Sequence, residues 1–148
     1  MRYEVYNNLT VADDLSILEF FSIGTRGVLL KRIIFVPTEQ LNLVSLIFGD
    51  IDKNGDLDIF SISGNGDRNK ILGTVFQAIE LYLKKYPYRS IYFKGSTIER
   101  TRLYRMIINS NIKYLESMFD ILIKVSDDFL PFQSNKAAIG FLIKCKTK

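Results

Sequence analysis

Histidine is absent from the 148-residue chain, and cysteine occurs once, at Cys145. The first absence excludes Ser-His-Asp and Cys-His nucleophile chemistry and every His-ligated metal site. The second excludes thiolate zinc sites, iron–sulfur clusters and an internal disulfide, so a reduced, cytoplasmic setting is expected. Acids and bases for any catalysis would have to come from carboxylates, tyrosine, lysine or water. No run approaches the roughly 20 apolar residues of a membrane span, and the N-terminus lacks the apolar core of a secretory signal. No membrane partner is expected. Acids are scarce in the middle: residues 68–113 hold 10 Lys/Arg against only Glu80 and Glu99, whereas residues 1–67 hold 5 against 10 acids, and residues 114–148 hold 5 against 4. A basic middle beside an acidic front fits an anionic partner, an acid–base contact between halves, or solvated helix faces.

What is present describes a globular domain. Apolar residues make up 47% and charged residues 24%, an ordinary balance for a chain of this length, and one domain over residues 1–148 is expected. Runs 17–23 and 27–36 flank Gly24-Thr-Arg-Gly27 and read as a hairpin; runs 41–48 and 57–62 read as a second pair. Residues 9–15, with Thr10 as cap, suggest a short helical turn. From Asn69 the period changes: Ile71, Leu72, Val75, Phe76, Ile79 and Leu83 recur at helical spacing, with Asp67 or Asn65 as cap and Pro87 as stop. A strand at 90–94, a helix over about 97–108 and two closing strands at 118–125 and 137–145 follow, with 126–136 as a loop around Pro131. The order predicts an α+β fold: a mostly antiparallel sheet, then β-α-β-α-β-β with one parallel crossover. Strands 57–62 and 90–94 are expected to form that parallel, right-handed crossover, which puts loops 63–67 and 95–97 at their shared carboxyl edge, where α/β sheets usually bind ligands.

The stretch from Gly95 to Arg105 carries the strongest chemical signal. Ser96 and Glu99 have capping-box spacing, and a strand, a Gly-Ser-Thr turn and a helix start converge on free N–H donors. Arg100, Leu103, Tyr104 and Ile107 form the stripe expected to face the sheet, with Arg102 and Arg105 pointing elsewhere. A guanidinium in that stripe needs an internal acid or a bound anion. The anion reading makes Arg100, Ser96, Thr97 and Gly95 a clamp. Gly64, Asn65 and Gly66, with Arg68 and Lys70, lie between strand and helix where phosphate cradles occur, although the spacing fits neither a Walker loop nor a dinucleotide fingerprint. A turn with a helix cap explains the same residues.

Two further patterns have plainer explanations. Asp50, Asp52, Asn54 and Gly55 mimic a calcium loop, but its twelfth position is Ser61, and Asn54-Gly55 reads better as a type I′ hairpin turn. No metal site is expected. Tyr82, Tyr86, Tyr88 and Tyr92 beside Lys84, Lys85, Arg89 and Lys94 would suit a nucleic-acid surface, but no nucleic-acid motif accompanies them.

The spaced pattern of Phe21-Ser-Ile-Gly24, Gly27, Lys31, Phe48-Gly-Asp50, Asn65-Gly-Asp67, Lys70, Gly95-Ser-Thr97, Arg100-Thr-Arg-Leu-Tyr104 and Pro131-Phe132 resembles a bacterial family of domains of unknown function, across nearly the whole chain. The element order is also similar to that of GNAT-type acyltransferases. That similarity implies acetyl-CoA or another phosphate-bearing ligand on the Gly64–Lys70 amides and Tyr104, in the pair Leu103-Tyr104, as the acid that protonates the leaving thiolate. The chain departs from the GNAT pattern in the spacing of that loop, at Thr97 and Arg100, and in lacking Gly-Phe after the second helix. The expected function is therefore binding of a small anionic ligand, with or without acyl transfer. The alternative is a basic module in which Arg102, Arg105, Lys84, Lys85 and Arg89 hold nucleic acid or an acidic protein.

Overall fold

Alternation organises the first half of the chain as the sequence predicts. The computed structural model describes residues 4–58 and 65–146. Within them, β1 (Thr10–Val11), β2 (Ile17–Gly24), β3 (Gly27–Pro37), β4 (Leu43–Ile51) and β5 (Leu57–Asp58) precede α1 (Arg68–Lys85). Then come β6 (Ser90–Phe93), α2 (Ile98–Ser110), α3 (Ile112–Glu116), β7 (Phe119–Val125), β8 (Asp128–Pro131) and β9 (Gly140–Cys145). The described strands make a nine-stranded mixed sheet, antiparallel except where β4 meets β6. This is the α+β class expected. No helix among the described residues is long and apolar enough to cross a membrane.

Two compact units divide the chain: Met1–Val36 with Leu46–Tyr82, and Pro37–Ser45 with Leu83–Lys148. In the first, β2 and β3 pair in full register from Ile17↔Ile34 to Gly24↔Gly27. Leu18 and Phe20 of β2, and Ile33 and Phe35 of β3, are buried, as are Leu72, Val75, Phe76 and Ile79 of α1. Phe35 stacks on Tyr82 with ring centroids 4.1 Å apart. Each such side chain contributes about 1.5–3 kcal/mol relative to exposure. Lys31 also lies on the inner side, 3% exposed, and is paired with Asp50. The outer side of the hairpin holds the Glu19–Arg32 pair at 2.8 Å and the exposed Phe21, Ile23 and Val28.

In the second unit, Leu43–Ser45 run parallel to Ser90–Tyr92, and β9 lies between β6 and β7 with antiparallel pairing on both edges. Ile91, Phe93, Ile121, Ile123, Phe141 and Ile143 form the inner side, with Tyr104, Ile107, Ile108 and Leu115 from α2 and α3 also buried. Phe93 meets Tyr104 edge-on at 5.3 Å, a favoured geometry for the ring quadrupoles.

Five expectations change. The parallel partner of β6 is β4, because residues 57–58 return antiparallel on it (Asp50↔Asp58) as the second arm of a hairpin must. The expected link between the 63–67 and 95–97 corners through neighbouring parallel strands is therefore absent among the described residues. Residues 59–64, which include the rest of the expected strand and Gly64, lie outside the described residues. At the hairpin tip, only Gly55 has positive φ (85°), so the turn is not type I′. Gly55 N–H donates to Asp52 O at 3.0 Å, and the Asp52 carboxylate accepts from the amides of Asn54 and Asp56 at 2.9 and 3.0 Å. That is a three-residue loop with a left-handed glycine. The expected helical turn at 9–15 is instead β1 and a turn, with Thr10 paired to Glu19. The expected loop 126–136 contains β8, paired to β7 from Val125↔Asp128 to Leu122↔Pro131; a proline is tolerated there because β8 is an edge strand. The last strand starts at Gly140 rather than Ala137.

Candidate functional site

The two glycine-bearing corners belong to different units, and their polar groups are arranged in opposite ways. In the first unit, Asn65 is 2% exposed. Its amide nitrogen donates to Ser22 Oγ at 3.0 Å and Gly27 O at 3.1 Å, and its Oδ1 accepts from Arg26 N at 2.6 Å. Asp67 Oδ2 accepts from Ser22 Oγ at 2.5 Å and from the Tyr6 hydroxyl, while Asp67 Oδ1 is buried without a donor. Burial foremost, then the bond to Asp67, pushes the Tyr6 phenol above its ordinary value. Asp67 Oδ2 is thus spent on Tyr6 and Ser22. Lys70 Nζ sits 4.3 Å from the Tyr6 ring centroid, a cation–π contact. Arg68 and Gly66 are exposed. The sequence pattern that suggested a phosphate cradle thus includes, at Asn65 and Asp67, the polar lock that ties the start of α1 to β2 and its turn.

The second corner is built by close approach. A Cβ on Gly95 would lie 2.5 Å from Thr101 N, so only glycine lets the end of β6 reach the first turn of α2. Gly95 N–H donates to Thr101 Oγ1 at 3.0 Å, and that hydroxyl donates to Thr97 O at 3.1 Å. Thr97, with extended backbone, is the N-cap: its hydroxyl accepts from Arg100 N at 3.2 Å. The expected cap at Ser96 therefore moves by one residue. Ser96 Oγ accepts instead from Arg100 Nη1 at 2.5 Å, folding the guanidinium back over the helix start. The amides of Ile98 and Glu99 precede the first intrahelical bond and are the open donors of this turn.

The inward row of α2 is Thr101, Tyr104, Ile107 and Ile108. Arg100 sits at its margin, partly exposed, so the expectation of a guanidinium buried in the apolar stripe is corrected. Tyr104 is 8% exposed; burial foremost pushes its hydroxyl up to about 12, with nearby Arg100 opposing. Arg102 is exposed and Arg105 half-buried. Both line a groove of about 100 Å³ together with Ile98, Thr101, Ala137 and Ala138. The alanines were missed in the sequence because they read as the start of a strand, and small residues carry no local sign of a binding wall. Of the aromatic set, Tyr82 is 2% exposed and belongs to the core. Arg89 stacks on Tyr86, 4.0 Å from its centroid.

With this geometry in place, the chain can be compared with known proteins. A family model described as a family of unknown function (DUF6934) covers residues 2–146. The chain belongs to this family. No curated protein and no solved structure matches it. The match extends over both units, in keeping with the resemblance to a family of unknown function.

Proposed function

We propose that the second unit binds a small anionic, phosphate-bearing ligand at the Gly95–Arg100 corner. One observation carries the reading: Arg100 Nη1 lies 2.5 Å from Ser96 Oγ at the start of α2, beside the open amides of Ile98 and Glu99. A guanidinium, hydroxyls and helix-start amides offer an anion charge-assisted hydrogen bonds and the positive end of the helix dipole. Ser96, Thr97 and Arg100 are the side chains assigned to the ligand. The Asn65–Asp67 segment is left out, since its polar side chains already serve Ser22, Gly27, Arg26 and Tyr6.

Binding without catalysis is favoured over the acyltransferase version. There Tyr104 would protonate a thiolate, but a phenol held at about 12 would give its proton to a thiol of ordinary pKa near 8.5 at a cost of about 5 kcal/mol.

Thermal unfolding with inorganic phosphate, sulfate and acetyl-CoA at constant ionic strength tests the reading. A ligand at 100 times its Kd adds about 2.7 kcal/mol. The Arg100→Met variant is expected to keep or gain stability and lose the ligand shift, and Glu99→Gln to strengthen binding by removing a like charge. No shift with any anion at 50 mM, or an Arg100→Met variant that binds as well as the parent, would overturn it.

A further inference from the structure

The groove between α2 and residues 137–138 borders the corner through Ile98 and Thr101 but draws its charge from other arginines. Its charged lining is Arg102 and Arg105, one turn apart on the same helix. Among the described residues neither pairs with a carboxylate, and Glu99, three positions before Arg102, makes no ion pair with it. Two like charges at this spacing weakly destabilise a helix, and no ion pair among the described residues offsets this. The remaining walls are the side chains of Ile98, Ala137 and Ala138, with Thr101 below. The Thr101 hydroxyl is already engaged with Gly95 N–H and Thr97 O, which leaves recognition to the two guanidiniums.

Size narrows the ligand. At about 100 Å³ the groove is well below the roughly 300–1,000 Å³ of sites that enclose a whole small molecule. It has room for about three waters' worth of volume, which suits one compact oxyanion group. Among the described residues no aromatic side chain lines it, so these walls offer no stacking platform for a base. The walls are open to water, with Ile98 77% exposed, so a small hydrated anion can reach both guanidiniums. Arginine, with its planar fork, matches tetrahedral oxyanions through paired hydrogen bonds.

We infer that this groove is a binding site for a phosphate-class oxyanion, free or at the end of a small organic molecule, held by Arg102 and Arg105 against a wall of Ile98, Ala137 and Ala138. The inference does not rest on the Gly95–Arg100 corner. The experiment is a residue-resolved ¹⁵N–¹H NMR titration of the full chain with inorganic phosphate and with methyl phosphate, using chloride and acetate at equal ionic strength as controls. Saturable shifts are expected at the amides of Arg102, Arg105, Ala137 and Ala138. The Arg102→Gln/Arg105→Gln double variant should weaken binding at least tenfold, and the Lys versions at least threefold, because a lysine keeps charge but loses the fork. Ser96→Ala and Arg100→Met should leave these shifts within twofold, which separates the groove from the corner. Stronger binding of methyl phosphate than of phosphate would identify an organic monoester as the better occupant, and equal binding the free ion; either agrees with the site. Should the double variant not fold, Ala138→Glu, which places a carboxylate beside the arginines, should abolish the same shifts. Amides of 137 and 138 that stay still to 50 mM phosphate, that move equally with chloride or acetate, or that saturate unchanged in the variants would overturn it.

Discussion

The first unit is acidic and engages Lys31, Asn65 and Asp67 internally; the second is basic and carries three arginines along α2. The first carries 7 Lys/Arg against 10 Asp/Glu and the second 13 against 6. In the first, Lys31 has Asp50, and Asn65 and Asp67 Oδ2 have Ser22, Gly27, Arg26 and Tyr6, while Asp67 Oδ1 is buried without a donor. In the second, α2 alone supplies Arg100, Arg102 and Arg105, and Ser96 is the partner that draws the Arg100 guanidinium over the helix start. Similar raw material, a glycine turn leading into a helix, serves as a structural lock in one place and leaves the amides of Ile98 and Glu99 ahead of the first intrahelical bond in the other. The lesson is that a phosphate-like pattern in sequence has to be judged by whether its donors are already spent.

Substitutions can break this contrast or sharpen it. Asp50→Ala should have the largest effect, since it strands the Lys31 ammonium, 3% exposed; loss of one partner of a buried pair costs about 3–5 kcal/mol, readable as a fall in the urea midpoint. High pH should act next, on the second unit. Tyr104 is held at about 12 against about 10 in an unfolded chain, so the folded form keeps a proton that the unfolded form releases. Stability from this group is therefore full below pH 10 and is lost as pH rises toward 12, by up to about 3 kcal/mol. Tyr104→Phe should flatten that part of the alkaline profile. Asn65→Ala leaves Ser22, Gly27 and Arg26 without their partner and should cost about 2 kcal/mol. The smallest effect is expected from Arg102→Gln with Arg105→Gln: within about 0.5 kcal/mol of the parent in stability. A large loss there would mean these arginines are structural, and the contrast between units would fail.

Much of the fold was legible because its determinants are local. The Gly24–Gly27 turn sets the register of β2 on β3, and the helical spacing from Ile71 to Leu83 together with Pro87 bounds α1. The features that were missed depend on distant neighbours. Nothing near Leu43 announces that three residues of β4 pair with β6 rather than residues 57–62. Pro131 hid an edge strand that only its position at the end of the sheet permits. The site was half legible: Gly95, Ser96, Thr97 and Arg100 do converge, but the cap lies at Thr97 and the guanidinium at the margin of the buried face. That Asn65 is structural could not be seen from its turn-like surroundings, since its partners come from a hairpin some forty residues earlier.

The most direct measurement is one phosphate titration of the unaltered protein, read amide by amide at fixed ionic strength. The account predicts saturable shifts between Ser96 and Arg105 and at Ala137 and Ala138, with residues 65–70 unmoved. Saturable shifts at residues 65–70, or an even drift over all surface amides, would contradict it.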